Sequence, residues 1–371
     1  MPAATHPGLL GSATALADRY DVALLDLDGV VYVGQAAVPG APAALAQARQ
    51  RGMRLAFVTN NAARPPAVVA AHLTELAIPA SPAEVITSAQ AAAHYLAERV
   101  PPGARVLVVG TVGLTEALSE RGLVPVERDD DTVAAVVQGF SPDLDWGQLA
   151  QGSLAINRGV PWVATNIDPT VPSPLGRLPG NGSLVAALRH ATGREPVVTG
   201  KPDPTMHRES VERSGAQSPI VVGDRLDTDI EGANAVGCAS LLVFSGVTTV
   251  AELLAAPPQL RPNYLAADVS GLLTPHPDVD LVADRASCGR WTVRATPAGG
   301  CELTATEAAE GRQRAGATDM ADRESAEGAD DDLDAVRALC VATWTGLRDG
   351  AAGWKAGDAA AERVLARFAL A

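Results

Sequence analysis

The chain has 371 residues, more than one hydrophobic core ordinarily serves, so two or three domains are expected. Hydrophobic residues make up 47% and the formal net charge is −14. That balance excludes nucleic-acid binding by phosphate neutralisation, and the lack of an apolar run near ~20 residues excludes a membrane-spanning helix. The same charge repels a phosphate ester at long range, so any phosphate site must rest on local cations. Cys238, Cys288, Cys301 and Cys340 are scattered without CxxC spacing, which argues against a thiolate zinc site or a disulfide framework. The N-terminus lacks the layout of a signal peptide, and a cytoplasmic protein is expected.

Seven short apolar runs are expected as strands: Val22–Leu25, Leu55–Val58, Arg105–Val109, Ala134–Val137, Trp162–Ala164, Ile220–Val222 and Ser240–Val243. They are continuous rather than alternating, as in parallel sheets buried on both faces. Between them Ala41–Arg51, Pro66–Leu76, Ala89–Glu98 and Thr205–Ser214 have helical period. The fold class is therefore α/β, with a Rossmann-like core built on a parallel sheet. Polar residues cluster at strand ends in residues 20–80 and 195–262, with another α/β unit between. The organisation expected is a core of residues 15–82 and 191–265, a cap domain inserted at 83–190, and a small α+β region at 280–371. That last region should hold a hairpin, Trp291–Arg294 with Glu302–Thr304 around Gly299-Gly300. An acidic stretch of disordered composition, Glu307–Asp332, follows, then helical patterns at Leu333–Leu347 and Ala359–Leu370.

In such sheets the working loops lie at the carboxyl ends of strands. The first run ends Asp26-Leu27-Asp28-Gly29-Val30. On an extended strand both carboxylates face one side, and at about 4 Å they repel by about 4 kcal/mol at an effective dielectric of 20. A hard divalent cation offsets such repulsion. Gly29 permits a sharp turn that brings amides near a phosphate. The second run ends Thr59-Asn60-Asn61, a hydroxyl and amides suited to phosphate oxygens or to helix capping. Gly200-Lys201-Pro202 precedes a helix, and Lys201 is a point cation in a chain with 27 arginines and one other lysine, Lys355. The last of these ends carries Asp224, Asp227 and Asp229. An acidic helix start accounts for Asp227 or Asp229 but poorly for all three.

Taken in order, these four elements resemble the motifs of the haloacid dehalogenase-like phosphatase superfamily. An insertion between the second and third is similar to its NagD-type subfamily with a large α/β cap. That subfamily includes nucleotidases and pyridoxal, phosphoglycolate and glycerol-phosphate phosphatases. Thr165-Asn166-Ile167-Asp168 and Pro179-Gly180-Asn181-Gly182-Ser183 are further points of likeness. Residues 20–262 carry the resemblance. Actinobacterial glycerol-phosphate phosphatases of this kind also have an acetyltransferase-like C-terminal region, which residues 285–371 resemble in position. The nearest candidate there for an acetyl-CoA loop, Gly311–Gly316, follows no apolar strand.

The resemblance implies a Mg²⁺-dependent phosphatase. Asp26 is the nucleophile that becomes the aspartyl-phosphate, and Asp28 the general acid and base. Asp26 and Asp224, with the Asp28 backbone carbonyl, hold the metal, and Asp229 acts through a metal-bound water. Gly29, Thr59, Asn60, Asn61 and Lys201 bind phosphate. Asn166, Asp168 and the loop Pro172–Arg177 are candidates for the rest of the substrate. They are short and polar and include no aromatic, which suits a polyol such as glycerol better than a base or pyridoxal ring. Phosphoglycolate, pyridoxal phosphate and nucleoside monophosphates are the alternatives. Readings from other classes are an acetyl-CoA-binding bifunctional chain and a noncatalytic phospho-ligand sensor. The expected partner is a small phosphate ester. Homo-oligomers occur in the subfamily, but no dimer seam is legible.

Overall fold

The computed structural model describes residues 8–173, 176–296, 300–306, 320–347 and 353–370. The chain opens a first sheet with β1 (Val22–Leu25), β2 (Arg54–Thr59) and β3 (Val85–Thr87). It then builds a second sheet from β4 (Arg105–Val109), β5 (Val124–Val126), β6 (Val133–Gln138), β7 (Trp162–Ala164) and β8 (Val197–Val198). It returns to the first with β9 (Pro219–Gly223), β10 (Ala239–Val243) and β11 (Tyr264–Ala266). The orders are β11-β10-β9-β1-β2-β3 and β8-β7-β6-β4-β5, and every pairing in both is parallel.

The continuous apolar runs have the cause expected of them. Ala23, Leu25, Phe57, Val222 and Val243 enter one core, while Val22, Leu24, Ala56, Val58 and Val221 enter another on the opposite face. Each fully buried Leu or Val stabilises the fold by about 1.5–3 kcal/mol. Trp162 is buried in β7 and belongs to the core of the second sheet. Gly110–Gly113 is a strand-to-helix turn, with the helix Val112–Glu120 following β4 directly.

Sheet pairing shifts the expected boundaries. Val85–Thr87 pairs with β2, so the first sheet runs past residue 82. Val197–Val198 pairs with β7, so the second runs past residue 190. Both strands are too short to stand out as apolar runs. The helix Ser88–Ala97 serves both units, with Ala91 packed beside Met206 and Ala92, Ala93 and Leu96 packed with the second sheet.

The C-terminal region forms a sheet of β12 (Asp280–Val282), β13 (Arg285–Cys288), β14 (Trp291–Ala295), β15 (Cys301–Ala305) and β16 (Trp354–Ala356). β14 and β15 make the expected hairpin, from Trp291↔Ala305 to Ala295↔Cys301; Gly299 in its turn lies outside the described residues. A helix runs over Met320–Trp344, so the part of the acidic stretch from 320 to 332 is helical rather than disordered. Its apolar residues Ala335, Val336, Leu339 and Cys340 anchor the far end in the core, and extending an established helix backward is cheap. Residues 307–319, including Gly311–Gly316, lie outside the described set. This region shares one core with the first sheet: Leu242 and Leu265 pack with Trp291, Leu303 and Leu339. Buried Arg337 donates to the Leu265 carbonyl at 2.6 Å, covering the edge strand. Cys238, Cys288 and Cys340 are free thiols, and among the described residues no helix is long and apolar enough to cross a membrane.

Candidate active site

The parallel register brings the expected polar strand ends to one edge. Leu25 is paired with Phe57 on one side and Val222 on the other. Asp26 continues that ladder, its N–H donating to the Val222 carbonyl at 2.9 Å. Thr59 closes β2 and Asp224 follows β9. Lys201 enters from the turn before the helix Pro204–Ser214, whose first turn is capped by Asp203.

Lys201 is the centre of the cluster. Its Nζ lies 2.5 Å from Asp26 Oδ1 and 2.6 Å from Asp229 Oδ1, with only 4% of the residue exposed. Asp26, Asp224 and Asp229 each offer an oxygen within 4.8 Å of the others, the one such group found among the described residues. Three carboxylates against one lysine leave excess negative charge in a buried place. Both Asp229 oxygens are engaged, one by Lys201 and the other by the Arg225 N–H at 3.2 Å. Asp224 Oδ2 accepts from the Val247 N–H at 2.8 Å, while its buried Oδ1 has no partner. That unsatisfied oxygen, on a carboxylate grouped with those of Asp26 and Asp229, is what a hard divalent cation fits.

Electrostatics follow from burial. Burial lifts Asp26 well above the usual carboxylate range; Lys201 opposes this, and Asp229 and Asp224 add to it. Asp224 is pushed up to about 6, first by burial and then by Asp229, against the Val247 hydrogen bond and Lys201. Burial pulls Lys201 down, yet Asp229 and Asp26 outweigh it and the ammonium is held charged. Asp28 is solvent-exposed at its tip but hemmed in by protein, which raises its carboxyl above the ordinary value, with Arg64, Lys201 and His72 acting the other way. A raised carboxyl holds its proton more tightly than an ordinary aspartate, which suits proton transfer.

Several expected site residues have other work. β1 stops at Leu25, so strand alternation does not carry to Asp28, which lies in a turn bridged to Tyr32. Gly29 is needed for its φ of +87° and because a Cβ there would stand 2.5 Å from Asp224 Oδ2; its N–H donates to the Tyr32 carbonyl and is not a free phosphate donor. The Asn60 side chain is also fully engaged: Oδ1 accepts from the Lys201 N–H at 2.8 Å, and Nδ2 donates to the Lys201 carbonyl at 3.1 Å and Asp168 at 3.3 Å. Asn166 is buried, donating to the Asn60 carbonyl at 2.8 Å and accepting from the Asp168 N–H at 3.2 Å, so it ties the two units together and is not free for substrate. Half-buried Asp168 faces the site, its carboxyl raised by burial and lowered by Asn60 and Arg225. Thr59 is buried and its Oγ1 accepts from the Asn61 N–H at 3.1 Å, which leaves the hydroxyl proton to donate. Exposed Asn61 accepts from the Ala63 N–H at 2.8 Å. Asp227 is an exposed partner of Arg225 at 2.8 Å. Of the loop Pro172–Arg177, residues 174 and 175 lie outside the described residues.

Ser245–Val247 was not foreseen. It follows β10, seats Asp224, and its Ser245 hydroxyl donates to the Gly29 carbonyl at 2.7 Å. The strand-end rule applied to Ser240–Val243 would have found it. Arg64 and His72 near Asp28 carry no comparable signal.

With an aspartate-bearing strand end, a buried lysine and a carboxylate cluster at one edge of a parallel sheet, the chain belongs to the haloacid dehalogenase-like hydrolase family. Models described as haloacid dehalogenase-like hydrolase match residues 23–124 and 198–272. The chain is similar to the D-glycerol 3-phosphate phosphatase of Mycobacterium tuberculosis, 44% identical over 360 residues and 96% of each chain. It is also similar to an acid sugar phosphatase of Staphylococcus aureus, 36% identical over 237 residues, which are 63% of this chain and 90% of that one. Among solved structures, the glycerol phosphate phosphatase of Mycobacterium tuberculosis in complex with magnesium matches with a TM-score of 0.83 at 42% identity, covering 96% of this chain and 100% of that one.

Proposed function

We propose that the chain is a magnesium-dependent phosphatase that hydrolyses a small polyol phosphate, glycerol 3-phosphate first, through an aspartyl-phosphate on Asp26. The observation that carries this is the Lys201 Nζ bridging Asp26 and Asp229 beside Asp224. The relative named for glycerol 3-phosphate, alike over nearly the whole chain, supports the substrate. Asp26 and Asp224, with the Asp28 backbone carbonyl, would hold Mg²⁺, and Asp229 would act through a water. Bound there, the metal supplies positive charge that offsets repulsion between the carboxylate and a phosphate dianion.

Lys201 holds the Asp26 carboxylate in place and screens the same repulsion. An Asp26 oxygen attacks phosphorus as the bond to the glycerol oxygen breaks, and Asp28 gives that oxygen its proton. Asp28 then takes a proton from water, whose oxygen attacks phosphorus, and the bond to Asp26 breaks to free phosphate. Thr59 donates to a phosphate oxygen. Asp168 accepts from a glycerol hydroxyl, with the second sheet and its helices acting as an inserted cap of NagD type. The C-terminal region, related to acetyltransferases in this reading, is a noncatalytic partner whose core is continuous with that of the first sheet. The free thiols of Cys238, Cys288 and Cys340 suit a cytoplasmic setting.

Phosphate release from a panel of metabolite phosphates, with Mg²⁺ and with EDTA, tests the reading. Metal-dependent release led by glycerol 3-phosphate is expected. Release led by another ester would overturn the substrate, and none from any ester would overturn the activity.

A further inference from the structure

Asn60 was expected among the phosphate contacts, yet its side chain reaches Lys201 and the cap instead. We infer that Asn60 is a positioning residue that sets Lys201 between Asp26 and Asp229 and ties that setting to Asn166 and Asp168 of the cap; the inference rests on the phosphatase reading above.

The geometry is two-sided. Asn60 Oδ1 accepts from the Lys201 N–H at 2.8 Å and Nδ2 donates to the Lys201 carbonyl at 3.1 Å. One amide thus pairs with one residue's backbone donor and acceptor, as a neighbouring strand does, and fixes both the position and the direction of that backbone. The neighbouring Gly200 makes this approach possible: a Cβ on it would stand 2.7 Å from Asn60 Oδ1 and 2.2 Å from the Thr165 carbonyl. From this fixed backbone the Lys201 side chain spans to two carboxylates, 2.5 and 2.6 Å away. A shift of about 1 Å in such an arrangement costs on the order of 10²-fold in rate.

The same residue reads the cap. Nδ2 also donates to Asp168 at 3.3 Å, and the Asn60 carbonyl accepts from Asn166 Nδ2 at 2.8 Å and from the Ser88 hydroxyl at 2.6 Å. Asn166 and Asp168 follow β7 of the second sheet, and Ser88 begins the helix packed against both units. Asp168 and Asn166 therefore brace the residue that holds the Lys201 backbone, and lysine placement depends on the contact between the two sheets.

The test uses the full chain with saturating magnesium, comparing the parent with Asn60→Ala, Asn60→Asp and Asn60→Asp/Asp168→Asn. Turnover of glycerol 3-phosphate and of an aryl phosphate is measured beside melting temperature. Asn60→Ala should lower kcat about tenfold or more for both esters. Asn60→Asp is nearly isosteric and keeps an acceptor for the Lys201 N–H, but aims a charge at Asp168; kcat should fall and KM for glycerol 3-phosphate should rise. Adding Asp168→Asn reverses the donor and acceptor and should recover at least half of the kcat loss on the aryl phosphate, which has no glycerol hydroxyl for residue 168 to bind; a merely structural role would not do this. Parental kcat in Asn60→Ala, or no recovery in the double variant, overturns the inference.

A second readout needs no turnover. The chain has two lysines, and the Lys355 side chain is 71% exposed while that of Lys201 is 4% exposed. Mass-resolved acylation by an amine reagent should mark the parent rapidly at Lys355 and slowly at Lys201. Both Asn60 variants should label several-fold faster at Lys201 alone; unchanged labelling overturns the positioning role even if the parent proves inactive on every ester, an outcome that would overturn the phosphatase reading separately.

Discussion

Gly246 lies against Asp224 so closely that a Cβ on the glycine would stand 1.9 Å from the carboxylate Oδ2. The next residue, Val247, donates its N–H to that same oxygen at 2.8 Å. The loop after β10 therefore fixes the Asp224 carboxylate through Oδ2 and leaves Oδ1 without a hydrogen-bond partner. Gly246→Ala should displace Asp224, weaken magnesium binding at least about tenfold and lower turnover at limiting metal, with partial recovery at high metal. Titration of turnover against magnesium measures it. Parental magnesium dependence would show that the loop does not set the carboxylate.

Asp26→Asn should retain the fold, with a melting temperature within about 3 °C of the parent, because Lys201 keeps Asp229 as a partner. Phosphate release should fall to background. Appreciable turnover in this variant would remove the covalent role.

Lys201→Met leaves three carboxylates close together with no cation among them. Breaking a buried ion pair from one side costs about 3–5 kcal/mol. Urea unfolding in EDTA should show a loss of that size, and magnesium should restore part of it while turnover stays abolished.

Asp224 gives the metal-free protein a definite pH response. Its folded-state pKa of about 6 lies above the ordinary 3.8, so the folded form binds the proton more readily than the unfolded form. The contribution of this group to stability is full below about pH 4 and is lost as pH rises through about 6. In EDTA, Asp224→Asn should therefore raise the melting temperature at pH 7 relative to the parent and not at pH 4. With magnesium at neutral pH the order should reverse, because metal bound to the native form at 100 times its Kd adds about 2.7 kcal/mol to the parent.

The sheet was legible because physics writes it locally. Strands buried on both faces must be apolar throughout, and Val22–Leu25, Arg105–Val109 and Trp162–Ala164 fall where the runs were read. Asp26, Lys201 and Asp224 were equally legible, since polar residues that end buried strands without a structural reason are costly unless paired. β3, which ends in a threonine, and two-residue β8 escaped, because neither is a continuous apolar run of three and their membership is set by which neighbour they pair with.

What the amino-acid order could not decide was the partner of each polar atom. Thr59-Asn60-Asn61 reads as three phosphate contacts, yet only the folded chain brings Lys201, 141 residues away, and Asp168, 108 away, onto the Asn60 amide. Asn166 is drawn into the same seam, and the loop at Gly246 becomes part of the site only because β10 lies beside β9. Residue type determined which chemistry the strand ends can perform, because charge and burial are properties of short segments. Tertiary structure alone decided which of those groups touch, because hydrogen bonds act over about 3 Å and take no account of distance along the chain.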